Sequence, residues 1–277
     1  MLGAIIGDIA GSKYEFGSKK VKDFELFPEG SRLTDDSLLT MAVGCACKKA
    51  DLSDEEDFKS WVIYYLRKIG REFPGAGYGY FFIMWLRNDT MGAYNSFGNG
   101  AAMRVSPVAW IAQSLEEAQR LAKWSAEVTH NHPEGIKGAQ AVSSAIYLAK
   151  IGKNIAEIRQ YIEQKYYTLD FTIDEIRPSY KFNVSCQGSV PQAIECFLES
   201  CNFEDAVRNA ISLGGDGDTQ AAIAGAIAEA YYGIPQDLKA EACKRIPPAI
   251  KKYYDEAIYV KKKFDIVDSY KEIPKNT

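Results

Sequence analysis

The stretch Gly214-Gly215-Asp216-Gly217-Asp218-Thr219, followed by Gln220-Ala221-Ala222-Ile223-Ala224-Gly225-Ala226-Ile227-Ala228-Glu229-Ala230, decides how this chain folds. Two carboxylates and a hydroxyl lie within four residues, among glycines that let the backbone turn sharply. The run behind them is Ala, Ile and Gly with almost no polar side chain. A helix apolar on every side belongs in the interior, and its small side chains allow close packing. The pattern therefore predicts two aspartates held at the N-terminus of a buried helix. Charges placed that deep need partners, usually metal ions or other charges. The helix dipole favours anions at that end but does not by itself hold two.

A second segment has the same form. Leu33-Thr34-Asp35-Asp36-Ser37 leads into Leu38-Leu39-Thr40-Met41-Ala42-Val43-Gly44-Cys45-Ala46, whose apolar positions 39, 42, 43 and 46 follow helical spacing. Either set alone is explained equally well by N-capping, where Asp, Ser and Thr are common. Two Thr/Asp/Asp sets, each ahead of a helix of buried type, point instead to metal. Hard oxygen ligands in that number suit Mg²⁺, Mn²⁺ or Ca²⁺.

The rest of the chain reads as helices joined by short loops. A small-residue core helix is expected over 3–11, with Asp8 inside it, a costly position unless the carboxylate is paired. Residues 18–32 read as polar and mobile, with a turn near Pro28-Glu29-Gly30. Helices follow over about 35–49, from a capping-box start at Leu52–Glu56 to about 69, over 80–86, and within 105–112. Ser114-Leu-Glu-Glu117 opens another, which runs to about Thr129. Pro133 starts the next at its first helical position. Helical texture continues over 154–167, residues 168–186 read as irregular, and Ser189-Val-Pro191 is expected to open a helix to about Glu199. Helices over 204–213 and 216–232 follow, the latter stopping at Gly233, and then a helical 237–261 region broken at Pro247-Pro248. No alternating strand pattern, 20–50-residue repeat or low-complexity linker interrupts this sequence. The expected class is all-α, with residues 1–277 as one compact many-helix domain.

Composition narrows the function. A hydrophobic share of 47% supports a substantial core. The net charge of −4, with Lys and Arg scattered, gives no nucleic-acid stripe. The six cysteines form no CxxC pair and read as reduced core residues, as in a cytoplasmic protein. Met1–Asp8 is too short and lacks the basic residues of a signal peptide, and no apolar run approaches the roughly 20 residues that span a bilayer.

Other site readings fit less well. Asp216-Gly-Asp218 could open an EF-hand loop, but Gln220, Ala221 and Ile227 stand where that loop needs an acidic or amide residue, Gly and Glu. Asp35-Asp36 suggests the aspartate-rich helices of prenyl-chain synthases, which stays as an alternative although Leu38-Leu39 occupy the place of the further Asp. His130 and His132 are the only histidines, without the further nitrogen or sulfur ligands that zinc wants. Contact with substrate or a plain turn remains for them. The Gly98-Asn99-Gly100 turn could present backbone N–H groups to a phosphate, or simply turn.

Together, Gly7–Glu15, Leu33–Asp36, Pro74–Gly79, Gly98–Arg104, Thr129–Pro133, Ser189–Ala193 and Gly214–Thr219 resemble the ADP-ribosylglycohydrolase family, in the family's order. That family includes dinitrogenase-reductase-activating glycohydrolase and the eukaryotic ADP-ribosylhydrolases. The resemblance implies an all-α fold with two Mg²⁺ or Mn²⁺ ions in a central cleft. It implies ions bound by Thr34, Asp35, Asp36, Asp216, Asp218 and Thr219, and catalysis involving Glu15 with Asp35 and Asp36. It places Phe97, Gly98, Asn99, Gly100 and His130 at the ADP-ribose site, and Asp8 near the centre. The implied reaction is hydrolysis of an N- or O-glycosidic bond to ADP-ribose on a modified protein side chain or small conjugate. Gly11-Ser-Lys-Tyr-Glu15 is somewhat closer to the serine- and polymer-type hydrolases than to the arginine type. Non-catalytic binding of ADP-ribose, a structural role, or another Mg²⁺-dependent reaction on an all-α scaffold are the alternatives.

Overall fold

The computed structural model describes residues 1–15 and 20–258, and every described element is a helix. In chain order these are α1 (Leu2–Gly11), α2 (Asp35–Lys49), α3 (Glu55–Glu72), α4 (Tyr80–Arg87), α5 (Gly100–Met103), α6 (Ser106–Ile111), α7 (Leu115–Glu127) and α8 (Pro133–Lys150). They continue with α9 (Ile155–Lys165), α10 (Ile173–Ile176), α11 (Cys186–Leu198), α12 (Phe203–Ser212), α13 (Gly217–Tyr232), α14 (Gln236–Lys244) and α15 (Pro248–Ala257). Residues 259–261, expected to continue the last helical region, lie outside the described residues.

The helix read from the Ala/Ile/Gly run is the axis of the molecule. α13 packs against α1, α12, α11 and α8, and it is buried from Gly217 through Glu229. Its closest neighbour is α1, which is buried along its whole length. Gly3, Gly7 and Gly11 form one stripe on α1, and a Cβ on Gly7 would lie 2.0 Å from the carbonyl oxygen of Ala221. The two backbones can touch only because those side chains are absent. α2 lies beside this pair and packs on α3, α15, α6 and α1. One continuous hydrophobic core joins nearly all the helices.

Local chemistry accounts for the helix ends. Asp54 caps α3 by accepting from the backbone of Glu56 and Asp57, one residue beyond the serine of the sequence pattern. Ser114 caps α7 through Glu117 N, and the His132 ring caps α8 through Glu134 N. Several readings are corrected. α11 begins at Cys186 under a Ser185 cap, so Pro191 sits inside the helix and removes one rung of its ladder. The 168–186 stretch holds the single turn α10, closed by a Thr172–Glu175 capping box. Phe24 and Leu26 are buried in the 20–32 segment, which is thus not merely polar. Cys45, Cys47, Cys186 and Cys196 are in the core, whereas Cys201 and Cys243 are exposed.

Candidate active site

The close contact of α1 with α13, and of α1 with the start of α2, brings the two acidic segments together. Asp8 is fully buried, and Thr34 and Ser37 surround its carboxylate. Thr34 Oγ1 donates to Oδ1 at 2.6 Å, while Thr34 N at 2.9 Å, Ser37 N at 3.1 Å and the Ser37 hydroxyl all donate to Oδ2. The costly aspartate of the sequence thus staples α1 to the first turn of α2. Across the cleft, Thr219 Oγ1 donates to Asp36 Oδ2 at 3.2 Å. Residues 34–36 and 216–219 are therefore in direct contact.

The Asp216 turn is built by two glycines in the left-handed region, Gly214 at φ 69° and Gly215 at φ 78°. Asp216 stands at the N-cap of α13 but makes no capping bond. Its Oδ2 instead accepts from Asn99 Nδ2 at 2.6 Å. Thr34 does cap α2, through a long 3.4 Å contact with Asp36 N. Capping therefore accounts for part of the first cluster and not for the second.

The carboxylates form two overlapping groups. Asp8, Asp36 and Asp218 each offer an oxygen within 4.8 Å of the others, and so do Glu15, Asp216 and Asp218. Burial raises every one of these carboxyls above the usual range, Asp36 and Asp218 well above it, with the neighbouring carboxylates adding to the rise in all but Asp8 and Asp216. Asp35 lines the same cavity outside both groups, and burial together with Asp8 pushes it up to about 8. Asp36 Oδ1 is buried with no hydrogen-bond partner among the described residues. An oxygen-only, mutually repelling set with an orphaned lone pair fits a hard divalent cation.

A cavity of about 400 Å³ opens above these carboxylates. Its other wall is Gly98–Gly100, Arg104, Tyr94 and His130, with Tyr80, Phe81, Phe182 and Val184 also lining it. The sequence reading missed those last four, and Tyr94 and Arg104 as well. Phe182 and Val184 arrive because Asn99 N donates to Val184 O at 2.8 Å and Cys186 N to Phe97 O at 2.9 Å, a pairing that no local pattern encodes. Their one visible signal is exposure, since all four are large apolar residues left open to solvent. Phe97, expected at the ADP-ribose site, does not line this cavity; it is exposed and its ring faces His132 at 5.5 Å. Asn99 lines the cavity, but its amide is turned to Asp216 and Ser189. Thr34 lies behind the surface, its hydroxyl proton on Asp8.

The family model for ADP-ribosylglycohydrolase matches residues 1–263. The chain belongs to the ADP-ribosylglycohydrolase family. It is a glycohydrolase. The human protein ADP-ribosylhydrolase ARH3 is 27% identical, over 85% of this chain and 85% of its own length. The Bos taurus protein of that name is 26% identical, over 85% and 84%. ADP-ribosylarginine hydrolase Tri1 of Pseudomonas putida is 29% identical over 54% of this chain and 43% of its own. A solved structure, an ADP-ribosylglycohydrolase-related protein complex, superposes with a TM-score of 0.63 over 94% of this chain and 95% of that one, at 20% identity. ADP-ribosylglycohydrolases use metal ions, and the two carboxylate groups could hold such an ion. No described helix is long and apolar enough to cross a membrane.

Proposed function

We propose that the protein is a metal-dependent hydrolase of the bond between ADP-ribose and a modified side chain, with two Mg²⁺ or Mn²⁺ ions. The observation that carries this reading is Asp218, shared between the two carboxylate groups at the floor of the cavity. One ion would be held by Asp36, Asp218 and the free lone pair of Asp8 or Thr34. The other would be held by Asp216, Asp218 and Glu15, with Thr219 and Asp35 beside the pair. Bound there, divalent cations supply charge neutralisation and Lewis acidity toward sugar oxygens.

The protein's own groups do the remaining work. Cleavage passes through an oxocarbenium-like state at the anomeric carbon, which a carboxylate nearby stabilises. Glu15 is half-buried at the cavity edge, and in the metal-free protein burial, Asp216 and Asp8 raise its pKa. It takes the proton of the attacking water. Asn99 Nδ2 holds Asp216 in place, and Thr219 Oγ1 holds Asp36. The Gly98–Gly100 turn and His130 face the ADP-ribose.

Purified protein incubated with ADP-ribosylated serine and arginine peptides and with poly(ADP-ribose) tests the reading. Free ADP-ribose is expected with Mg²⁺ or Mn²⁺ and not with chelator, and the Gly11–Glu15 segment favours the serine or polymer substrates. No release from any of the three with either ion overturns it.

A further inference from the structure

Arg104 is a buried cation with no carboxylate hydrogen-bonded to it. It is wholly inaccessible, and Nε and Nη1 have no hydrogen-bond partner among the described residues. Nη2 donates to Ser125 O at 3.3 Å and to Thr129 Oγ1 at 2.7 Å. Thr129 Oγ1 in turn lies 2.7 Å from His130 Nδ1. Leaving guanidinium N–H groups unpaired in the interior is costly.

The direction of the Thr129–His130 bond follows from charge. Arg104 occupies one lone pair of Oγ1 and polarises the hydroxyl, which makes it a stronger donor and a weaker acceptor. A proton on Nδ1 would point toward that cation, whereas a lone pair on Nδ1 faces it favourably. With the Tyr94 hydroxyl also hydrogen-bonded to Thr129, the Arg104 charge favours donation from Thr129 to Nδ1, which leaves the ring proton on Nε2. Burial of the ring, and after it the Arg104 charge, hold its pKa well below the ordinary histidine value, so it stays neutral. Nε2 faces the Gly-Asn-Gly turn: a Cβ on Gly100 would sit 3.0 Å from it. The cavity is thus divided, with carboxylates on the α1, α2 and α13 side and His130 on the side of the Gly98–Gly100 turn.

We propose that Arg104 is a positioning residue: through Thr129 it fixes His130 as the Nε2–H tautomer, a single donor aimed at the diphosphate of ADP-ribose beside the Gly98–Gly100 turn. The ligand named rests on the proposed function, but the tautomer does not. His130 and His132 are the two histidines of the chain, so ¹⁵N-histidine labelling gives two ring systems to assign.

A long-range ¹H–¹⁵N correlation of the unliganded protein at neutral pH should show His130 with bare Nδ1 and protonated Nε2. Thr129→Val should release that preference. It should also weaken ADP-ribose binding by about threefold to tenfold in calorimetry with Mg²⁺, the worth of one hydrogen bond. Thr129→Ser should restore both. A wild-type ring protonated on Nδ1, or charged, overturns the proposal by itself, even where Thr129→Val does not fold. An unchanged tautomer in folded Thr129→Val overturns it too. Absence of turnover with the Nε2–H signature intact would sink the hydrolase reading and leave the positioning role standing.

Discussion

Replacing Gly7 with alanine tests how the packing of α1 sets the site. The new Cβ would lie 2.0 Å from Ala221 O and 2.3 Å from Ala221 C, where real Cβ atoms do not come within 3.0 Å. The obstacle is backbone inside a buried helix, so no rotamer change relieves it and the two helices must part by about 1 Å. Overpacking of this kind costs about 1–3 kcal/mol, and a backbone obstacle puts Gly7→Ala at the upper end. Gaining alanine in a helix offsets about 1 kcal/mol. The net loss is about 2 kcal/mol, which for a chain of this size lowers the Tm by about 4–8 °C. Asp8 and Asp218 separate with the helices, so Mg²⁺ affinity falls as well. The assay is thermal unfolding of wild type, Gly7→Ala and Gly75→Ala, each with and without Mg²⁺. Gly75 has nothing within 4 Å of its would-be Cβ, and its variant should match wild type or exceed it slightly. A Gly7→Ala protein with wild-type Tm and Mg²⁺ affinity would refute the argument that backbone contact positions the carboxylates.

Three further outcomes follow from the geometry. Asn99→Ala leaves Asp216 without its 2.6 Å donor and should weaken cation binding by about 10–100-fold in calorimetry, with little change in Tm; unaltered affinity would remove Asn99 from the site. The metal-free protein should lose stability as pH rises. A carboxyl whose pKa is higher folded than unfolded stabilises below the unfolded value and loses that contribution up to the folded one, and Asp35 sets the window from 3.8 to about 8. In chelator the Tm should therefore fall across that window, and Mg²⁺ should raise it more at pH 8 than at pH 5; equal rises would contradict this. Finally, native alkylation followed by mass spectrometry should modify Cys201 and Cys243 and spare Cys45, Cys47, Cys186 and Cys196, while labelling of any buried thiol before unfolding would show the core more open than described.

The all-α class and the start of α2 and α13 were legible because their signals are local. Thr34-Asp35-Asp36 and Asp216-Gly217-Asp218 precede apolar runs of helical spacing, and short-range periodicity and turn chemistry need no partner to be read. Where a local signal has two meanings, the sequence misleads: Ser189-Val-Pro191 reads as a helix start, yet Ser185 caps α11 six residues before Pro191. Asp8 was recognisable as anomalous, but not as the acceptor of Thr34 and Ser37, because that pairing depends on α1 crossing α2. The aromatic rim of the cavity and the contact of Arg104 with Thr129 had no local signature. Phe81, Arg104, His130 and Phe182 come from four separate segments and meet only in the tertiary structure. By itself the sequence determined which residues carry charge at helix starts. Only the tertiary structure decided which of those charges share a cavity, because side-chain proximity across the chain is set by how closely glycine-striped helices can approach.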